Sequence, residues 1–502
     1  MKTVVGIDNG TQSTKVIFYD YENMKIVAEA SAPHDLISLS ADGKDDGTRE
    51  QEASWWLAAL KSCFAEIPDD IRKTARAVGV SGQQHGFVPV DKDGNVLHRV
   101  KLWCDTATAR ECEEITSDFG GDEKLLKEVG NLVLPGYTAG KILWFKNNCP
   151  DEYAKMEKIL LPHDYLNFYL TGEYTMEPGD ASGTALLNIK EGRWEAGLLE
   201  ILDPDRDLSG CLPKLIKPGE TAGKVSSKAA SELGLPEGIP VSSGGGDNMM
   251  GAIGTGTVKD GFLTMSLGTS GTIYGYSDTP VIDPAGNLAA FFSSTGGWLP
   301  LLCTMNCTVA SELMRELFDR DLKELNSLAE KSPIGSAGII TLPFFNGERT
   351  PNLPNGKGCL VGMTGSNVKE ENILRSAMES AILGMKLGLD SFRALGFQPK
   401  EVRLIGGGAK SPLWRQIAAD VLDLPVQVPV IEEAAAFGGA LQALWTLEKI
   451  GGNDEDITRI IDTHVKLEES KSCMPNKESV DQYDDLYRTY NTYVAALTGL
   501  FQ

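Results

Sequence analysis

The first twenty residues consist of two apolar stretches separated by a polar one. Residues 3–7 and 15–19 are rich in valine, isoleucine and aromatic side chains, a composition typical of strands. Residues 8–11 read Asp-Asn-Gly-Thr, which is typical of a tight turn. The pattern therefore predicts two strands joined by a short turn at the start of the chain.

The same pattern returns near the middle of the chain. Residues 263–267 and 273–274 are apolar and flank a Gly-Thr-Ser-Gly-Thr segment at 268–272. Each copy begins a half of ~250 residues, the size of a large domain. We therefore predict two related domains, 1–246 and 247–502, which form a hinged pair around a central cleft.

Other segments complete the pattern of an α/β protein. Trp56, Leu60 and Phe64 recur at helical spacing and predict a helix over residues 54–64. Further helices are expected near residues 305–330, 370–395, 412–422 and 474–502. Short buried strands are expected at residues 77–80, 239–241 and 402–405. Strands that alternate with helices favour an α/β fold.

Charge and cysteine content restrict the partners and the compartment. The 502 residues include 47 Lys and Arg against 70 Asp and Glu, a net charge of −23. Such a surface repels phosphate backbones and anionic lipid, so we expect neither nucleic acid nor a membrane as a partner. The nine Cys form no CxxC pair, and the start of the chain lacks a signal-peptide pattern. We therefore expect reduced thiols and a cytoplasmic location.

The first turn has the composition of a phosphate-binding loop. Gly10 permits a tight turn in which successive N–H groups point into one concavity, and Thr11 and Thr14 belong to the same stretch. Asp8 is placed to hold Mg²⁺, and Lys15 brings a cation beside the phosphates. By itself the motif fits a plain β-hairpin equally well.

The second turn offers the same chemistry in the second half of the chain. Gly268, Thr269 and Ser270 supply glycine flexibility, hydroxyls and free N–H groups. Two such turns that face each other across a cleft would bind a chain of phosphates from both sides. Their pairing favours a nucleotide-phosphate site over two ordinary hairpins.

Three glycines precede an acidic residue at 244–247. Asp247 follows a predicted strand end, and the functional interpretation is a base that accepts a proton from an attacking hydroxyl. The alternative is an Asp that caps the helix beginning near Asn248. Three consecutive glycines exceed what a cap requires, so we favour the base.

Two further motifs are weaker alone. Gln84 and His85 can hydrogen-bond neutral hydroxyls, although a lone His is more often satisfied in a buried turn. Glycines at 406–408, followed by Ala409 and Ser411, leave a slot for a flat ring or a ribose. By itself this second motif favours an ordinary strand-to-helix turn.

Together the motifs resemble the FGGY family of carbohydrate kinases. The matching segments, in chain order, are residues 8–11, 84–86, 136–144, 244–248, 266–271, 358–379 and 404–409. The resemblance covers roughly residues 1–450, and the ordered set is far more specific than any one motif. It is strongest to the members that phosphorylate the ketopentose D-xylulose to D-xylulose 5-phosphate.

The resemblance implies an actin-like (ribonuclease H-like) ATPase fold, with ATP and a sugar between two duplicated domains. It implies Asp247 as catalytic base and Asp8 as a second catalytic residue that holds Mg²⁺. It assigns Gln84 and His85 to sugar binding, and our full set of candidate substrate-binding residues is Gln84, His85, Asp247, Asn248 and, as an apolar wall, Trp56. The candidate nucleotide-binding residues, from the glycine segments, are Gly10, Thr11, Thr14, Lys15, Gly268, Thr269, Ser270, Gly407, Gly408, Ala409 and Ser411.

Several alternatives stay open at this point. Gln84 stands where the family often has Met, and residues 50–53 depart from the family pattern before Trp56. Another substrate is therefore an alternative: L-xylulose, L-ribulose, a hexulose, gluconate or glycerol. A non-catalytic actin-like nucleotide-binding protein is a more distant one. The sequence leaves open whether the chain forms a homodimer.

Overall fold

Strands and helices alternate along residues 1–40 and 42–501, which the computed structural model describes. The strands are β1 (Thr3–Asn9), β2 (Ser13–Asp20), β3 (Lys25–Pro33), β4 (Glu50–Gln51), β5 (Ala75–Gly82), β6 (Val88–Val90), β7 (Val100–Lys101), β8 (Lys158–Leu160), β9 (Thr175–Met176), β10 (Leu187–Asn188), β11 (Arg193–Trp194), β12 (Lys214–Leu215), β13 (Thr221–Lys224), β14 (Pro240–Ser242), β15 (Gly245–Gly246), β16 (Phe262–Leu267), β17 (Gly271–Gly275), β18 (Leu301–Thr304), β19 (Ile340–Pro343), β20 (Gly358–Val361), β21 (Glu401–Ile405) and β22 (Val426–Gln427).

The helices lie mainly between the longer strands. They are α1 (Ala53–Glu66), α2 (Asp69–Arg72), α3 (Ala109–Phe119), α4 (Asp122–Glu128), α5 (Thr138–Asn148), α6 (Pro150–Tyr153), α7 (Pro162–Thr171), α8 (Pro178–Ala181), α9 (Ala196–Leu202), α10 (Ser227–Leu233), α11 (Asp247–Thr255), α12 (Thr308–Leu317), α13 (Leu322–Ala329), α14 (Glu370–Ala394), α15 (Pro412–Leu422), α16 (Ala434–Ile450), α17 (Thr458–His464) and α18 (Lys477–Thr498). Within the described part of the chain, no helix is both long and apolar enough to cross a membrane.

The chain forms two compact units that interleave along the sequence. The first unit contains Met1–Val258, Ser277–Leu299 and Glu433–Val465. The second unit contains Lys259–Tyr276, Pro300–Glu432 and Lys466–Gln502. The predicted boundary at residue 246 divides the sequence into two duplicated halves, whereas these units are defined by contacts in the structure. That boundary therefore stays a prediction.

A mixed sheet organises the first unit. Its strand order is β13-β14-β5-β1-β2-β3, and β15 also pairs with β5. The predicted hairpin is confirmed, since β1 runs antiparallel to β2, and β1 also runs parallel to β5. In this register Asp8 lies opposite both Lys15 and Ser81. The sheet therefore brings three polar side chains of distant sequence together near one strand end.

The sheet of the second unit repeats this arrangement. Its order is β18-β17-β16-β21-β22. The first strand of its hairpin, β16, is antiparallel to β17 and parallel to β21, just as β1 is to β2 and β5. The resemblance between the two predicted strand–turn–strand segments thus extends to the order and direction of the neighbouring strands.

The helix predictions hold, with one refinement. Trp56, Leu60 and Phe64 form the buried face of α1. The stretch 305–330 contains two helices, because Asp321 starts a second one there. The Asp321 side chain accepts a hydrogen bond from the N–H of Glu324, as an N-cap residue does.

The backbone of helix α16 packs directly against the backbone of the sheet in the first unit, at positions where the strands have glycine. A Cβ atom on Gly6 in β1 would lie 1.8 Å from the carbonyl oxygen of Ala436, and one on Gly79 in β5 would lie 2.0 Å from that of Gly439. Only glycine permits such an approach. The two strands that lead to the polar edge are therefore held directly by the main chain of this helix.

The same helix contacts α11 in the same way. A Cβ atom on Gly254 would lie 1.9 Å from the carbonyl oxygen of Ala434, and one on Gly438 would lie 1.8 Å from that of Met250. Because α11 begins at Asp247, this contact fixes the helix that carries the predicted base.

We expect Gly438→Ala to lower the stability of the protein. The added methyl would overlap a backbone oxygen, and overpacking of this kind costs about 1–3 kcal/mol or more. The thermal unfolding midpoint, followed by circular dichroism, should fall by several degrees.

Gly197→Ala is the matched control in the same unit. Gly197 is also helical, but its Cβ would lie 3.5 Å from Phe119, an ordinary contact. This variant should be unchanged or slightly more stable, since alanine is the better helix former. Equal stability of the two variants would contradict the close helix packing.

Candidate functional site

Three strand ends bring the predicted catalytic and sugar-binding residues to one edge of the first unit. Strands β1 and β15 both run parallel to β5, so their carboxyl ends lie on the same side. Asp8 lies near the end of β1, Gln84 follows β5, and Asp247 follows β15. Ligands bind at such strand ends in open α/β sheets.

A single amide links Asp247 to Gln84. The Asp247 Oδ1 atom accepts hydrogen bonds from the backbone N–H of Asn248 at 2.8 Å and from its Nδ2 at 3.0 Å. The same Asn248 Nδ2 donates to Gln84 Oε1 at 2.8 Å. The structure thus joins three of the predicted substrate-binding residues in one chain of hydrogen bonds.

The other end of the Gln84 amide is unsatisfied within the described part of the chain. Gln84 is buried, and its Nε2 has no hydrogen-bond partner among residues 1–40 and 42–501. Gly246 makes room for this side chain, because a Cβ there would lie 2.6 Å from Gln84 Cγ. A buried donor without a partner is costly unless a bound molecule satisfies it.

Asp247 has the electrostatics of a base that works near neutral pH. Burial raises its pKa from 3.8 to about 7, and the negative charges of Asp8 and Asp180 act in the same direction. Burial also raises the pKa of Asp8, although Ser81 Oγ donates to its Oδ1 at 2.7 Å and Lys15 lies nearby. The carboxylates of Asp8 and Asp180 thus repel that of Asp247 at this edge of the sheet.

A buried histidine lies between two aspartates next to these residues. His163 Nδ1 is 3.0 Å from Asp180 Oδ2, and its Nε2 is 2.9 Å from Asp164 Oδ1. Burial lowers the pKa of His163, but the two carboxylates overcome this effect and hold it well above its usual range. A Cβ on Gly82 would lie 2.9 Å from the backbone nitrogen of His163, and one on Gly244 would lie 3.0 Å from its Cδ2. His163 therefore packs closely against the end of β5 and against the residue that precedes β15.

His85 occupies an enclosed position in a left-handed conformation. Its φ angle is 63°, which is unusual for a residue with a Cβ atom. The imidazole packs edge-on against Tyr137, with ring centroids 4.8 Å apart, and its Nδ1 is 3.9 Å from Asp180 Oδ1. A Cβ on Gly183 would lie only 1.8 Å from that nitrogen. The ring therefore has very little freedom to move.

The first glycine turn is held by side chains from elsewhere in the first unit. The carbonyl of Thr11 accepts a hydrogen bond from Gln51 Nε2 at 2.7 Å, and its hydroxyl accepts one from Trp103 Nε1 at 2.9 Å. Lys15 forms an ion pair with Glu433, with 2.5 Å between Nζ and Oε2. The turn is therefore held in place without a ligand, and the Lys15 ammonium already has Glu433 as a partner.

Two residues of the predicted ligand set have buried side chains. The Thr14 hydroxyl points inward, where it donates to Asn9 Oδ1 at 3.0 Å and lies 3.1 Å from His34 Nε2. Trp56 has no exposed surface and donates from its ring nitrogen to Gln51 Oε1 at 2.9 Å. The ligand contacts of Thr14 and Trp56 stay predictions. Trp56 also supports Gln51, a residue whose role the sequence did not indicate.

The second glycine turn lies at the start of a helix within the second unit. The carbonyls of Gly268 and Thr269 accept hydrogen bonds from the N–H groups of Thr308 and Cys307, at 3.0 and 2.9 Å. Helix α12 begins at Thr308. Thr269 is exposed, so its hydroxyl faces solvent beside a fixed backbone.

The third glycine segment is only partly open. Gly407 has no atom within 4 Å of the position of a Cβ, whereas a Cβ on Gly408 would lie 2.7 Å from Leu267 Cβ. Ala409 is buried. Ser411 caps α15 by accepting from the N–H of Trp414 at 3.2 Å, and it donates to Asn326. The Ser411 hydroxyl is thus engaged within the protein, and its nucleotide contact stays a prediction.

Comparison with known proteins identifies the family of the chain. The model of the N-terminal domain of the FGGY family of carbohydrate kinases matches residues 3–254, and that of its C-terminal domain matches residues 263–447. A xylulose kinase of Haemophilus influenzae is 42% identical over 500 residues, which is 98% of this chain and 99% of that protein.

Solved structures show the same fold. The xylulose kinase from Rhodospirillum rubrum superimposes with a TM-score of 0.88 at 26% identity, and the match covers all of both chains. A gluconate kinase from Lactobacillus acidophilus gives a TM-score of 0.90 at 24% identity, also over all of both chains. The mixed α/β architecture is that of the actin-like ATPases. The chain therefore belongs to the FGGY family of carbohydrate kinases, the ATP-dependent sugar kinases.

Proposed function

We propose that the protein transfers the γ-phosphoryl group of ATP to D-xylulose and forms D-xylulose 5-phosphate. The observation that carries this proposal is the hydrogen-bonded chain of Gln84, Asn248 and Asp247 at one edge, which pairs a base with amides suited to sugar hydroxyls. The choice of D-xylulose is supported by full-length relatives that are named xylulose kinases.

In this proposal Asp247 is the general base. A sugar hydroxyl has a pKa near that of water, ~16, while that of Asp247 is about 7. Complete proton transfer before attack would be uphill by about 9 units, or on the order of 12 kcal/mol. Asp247 therefore orients the hydroxyl and accepts its proton as the bond to phosphorus forms, which suits a loose transition state.

The sugar is held by donors and acceptors that have fixed directions. Gln84 Nε2 donates to one sugar oxygen, Asn248 keeps the carboxylate of Asp247 in place, and the enclosed imidazole of His85 contacts another hydroxyl. A site of this kind rejects an analogue that leaves its buried polar groups unpaired.

Each of the two glycine turns, within its own unit, is assigned to phosphate groups of ATP. Gly10, Thr11 and Lys15 in the first turn, and Gly268, Thr269 and Ser270 in the second, offer backbone N–H groups, hydroxyls and a cation to the phosphates. The open backbone at Gly407, with Gly408 and Ala409, is assigned to the nucleoside.

Mg²⁺ fits the acidic edge of the first unit. Among the described residues, no group of three or more His, Cys, Asp or Glu side chains is arranged to hold a metal, so phosphate oxygens and water would complete its coordination. Asp8 would hold it, and a cation there would relieve the repulsion between Asp8 and Asp247. When bound, Mg²⁺ neutralises charge on the phosphates, while the chain itself aligns the sugar and excludes water.

A panel of substrates tests the choice of sugar. ADP release is measured with D-xylulose, L-xylulose, L-ribulose, D-fructose, gluconate and glycerol. We expect the highest kcat/KM with D-xylulose. A higher value for another member of the panel would replace D-xylulose by that compound, and ATP turnover independent of any sugar would reject the kinase assignment.

Asp247→Asn tests the base. The variant keeps the size of the side chain but cannot accept the proton, so kcat should fall on the order of 10³-fold while the protein folds normally. Asp122→Asn is the matched control. Asp122, like Asp247, is the first residue of a helix, but its side chain is exposed. Turnover of Asp247→Asn within tenfold of the wild type would contradict the role.

The pKa of Asp247 can be measured in the protein without ligands. Because its pKa lies at about 7, the carboxyl should be protonated at pH 5.5 and ionised at pH 8.5. The infrared difference between wild type and Asp247→Asn should show a protonated-acid band that disappears as the pH rises through 7. A band that disappears near pH 4 would show that burial and the charges of Asp8 and Asp180 do not act on this group.

A further inference from the structure

We propose that Lys141 is a positioning residue for the sugar loop, which is defined here as residues 83–86. Its side-chain nitrogen holds the main chain at His85 and at Gly136, and so fixes the imidazole that meets the ketose. This inference rests on the proposed function, because it assigns a role to the sugar-binding side of that site.

The contacts of Lys141 are short and fully enclosed. Its Nζ donates to the carbonyl oxygen of His85 at 2.7 Å and to that of Gly136 at 2.7 Å. The residue has no exposed surface. Thr138, one turn earlier on α5, donates from its hydroxyl to the same His85 oxygen at 3.1 Å. Two donors from one helix therefore converge on a single carbonyl of the sugar loop.

The conformation of His85 explains why this carbonyl needs to be held. The left-handed backbone, with φ at 63°, is disfavoured for a residue that has a Cβ atom. Such a conformation persists only where surrounding contacts determine it. The hydrogen bonds from Lys141 and Thr138 are contacts of this kind, and they act on the main chain of His85 itself.

The second carbonyl held by Lys141 belongs to the wall of the same site. Gly136 directly precedes Tyr137, whose ring packs edge-on against His85 with centroids 4.8 Å apart. One nitrogen thus ties together the two main-chain segments that carry the packed rings. Its loss would release both segments, and the imidazole would no longer keep one direction.

The burial of Lys141 is not explained by an ion pair. Among the described residues no carboxylate lies within ion-pair distance of its nitrogen, and burial lowers its pKa from 10.5 to about 7. The charges of Asp105, Cys104 and Cys112 raise this pKa, and that of Lys101 lowers it further. The neutral amine still has two N–H donors for its two carbonyls, so the contacts survive the loss of the proton. An apolar residue would suit packing alone better.

Steady-state kinetics of Lys141→Met tests the proposal. With the panel sugar that the wild-type protein uses best, we expect the KM for the sugar to rise at least tenfold and the KM for ATP to change less than twofold. Thr138→Val removes the second donor to the His85 carbonyl and should raise the sugar KM in the same direction by a smaller factor. Thr138→Ser keeps the hydroxyl, so its KM for the sugar should equal that of the wild type.

Lys146→Met is the matched control on the same helix. Lys146 also donates to a backbone carbonyl, that of Leu202 at 3.0 Å, but it has no contact with the sugar loop. Both its KM values should equal those of the wild type. An unchanged sugar KM in folded Lys141→Met, or equal increases of both KM values, would overturn the proposal. If Lys141→Met does not fold, an unchanged sugar KM in Thr138→Val overturns it.

The two proposals fail in different ways in this experiment. Wild-type protein that phosphorylates no panel sugar would reject the proposed function and, with it, the role of Lys141. Wild-type protein that is active, with variants that keep its sugar KM, would reject the role of Lys141 alone.

Discussion

The contact between the backbone of α16 and its neighbours determines where the functional groups lie. Glycines in β1, β5 and α11 let this helix approach to a distance that any side chain would prevent. Since β1 ends near Asp8, β5 leads to Gln84, and α11 begins at Asp247, one helix sets the spacing of all three. The relative placement of Asp8, Gln84 and Asp247 is thus a consequence of main-chain packing, which is stiffer than contact between flexible side chains.

Negative charge is concentrated where the chemistry is proposed. The negative charges of Asp8 and Asp180 add to burial in raising the pKa of Asp247, and His163 lies between the carboxylates of Asp180 and Asp164. The arrangement is unfavourable in isolation and is compensated by fixed donors such as Ser81 and Asn248. Burial and this repulsion together account for a carboxyl pKa near 7, and the same negative charge favours a hard cation.

The sequence predicted the hairpins and the strand ends, because each depends on a few neighbouring residues. The grouping of Gln84, Asn248 and Asp247, which are far apart in the chain, was expected from the family resemblance. The motifs alone did not show which way a side chain points. Thr14 lies on the same strand face as buried Val16, and Trp56 lies on the buried face of α1 with Leu60, so both patterns already opposed a ligand contact. Lys141 holds the carbonyl of His85, and His163 contacts Asp180 as well as the adjacent Asp164. A single sequence does not show that the more distant members of these pairs meet.

The orientation of the Gln84 amide has a stereochemical consequence. Its oxygen is engaged by Asn248, so in the proposed site only the N–H side is left for a sugar oxygen, and its direction is fixed. An epimer whose hydroxyl points away from that direction would leave the donor unsatisfied, a penalty of about 1–3 kcal/mol. Under the proposed function, chirality at one carbon of the substrate is therefore distinguished before any phosphorus–oxygen bond is formed.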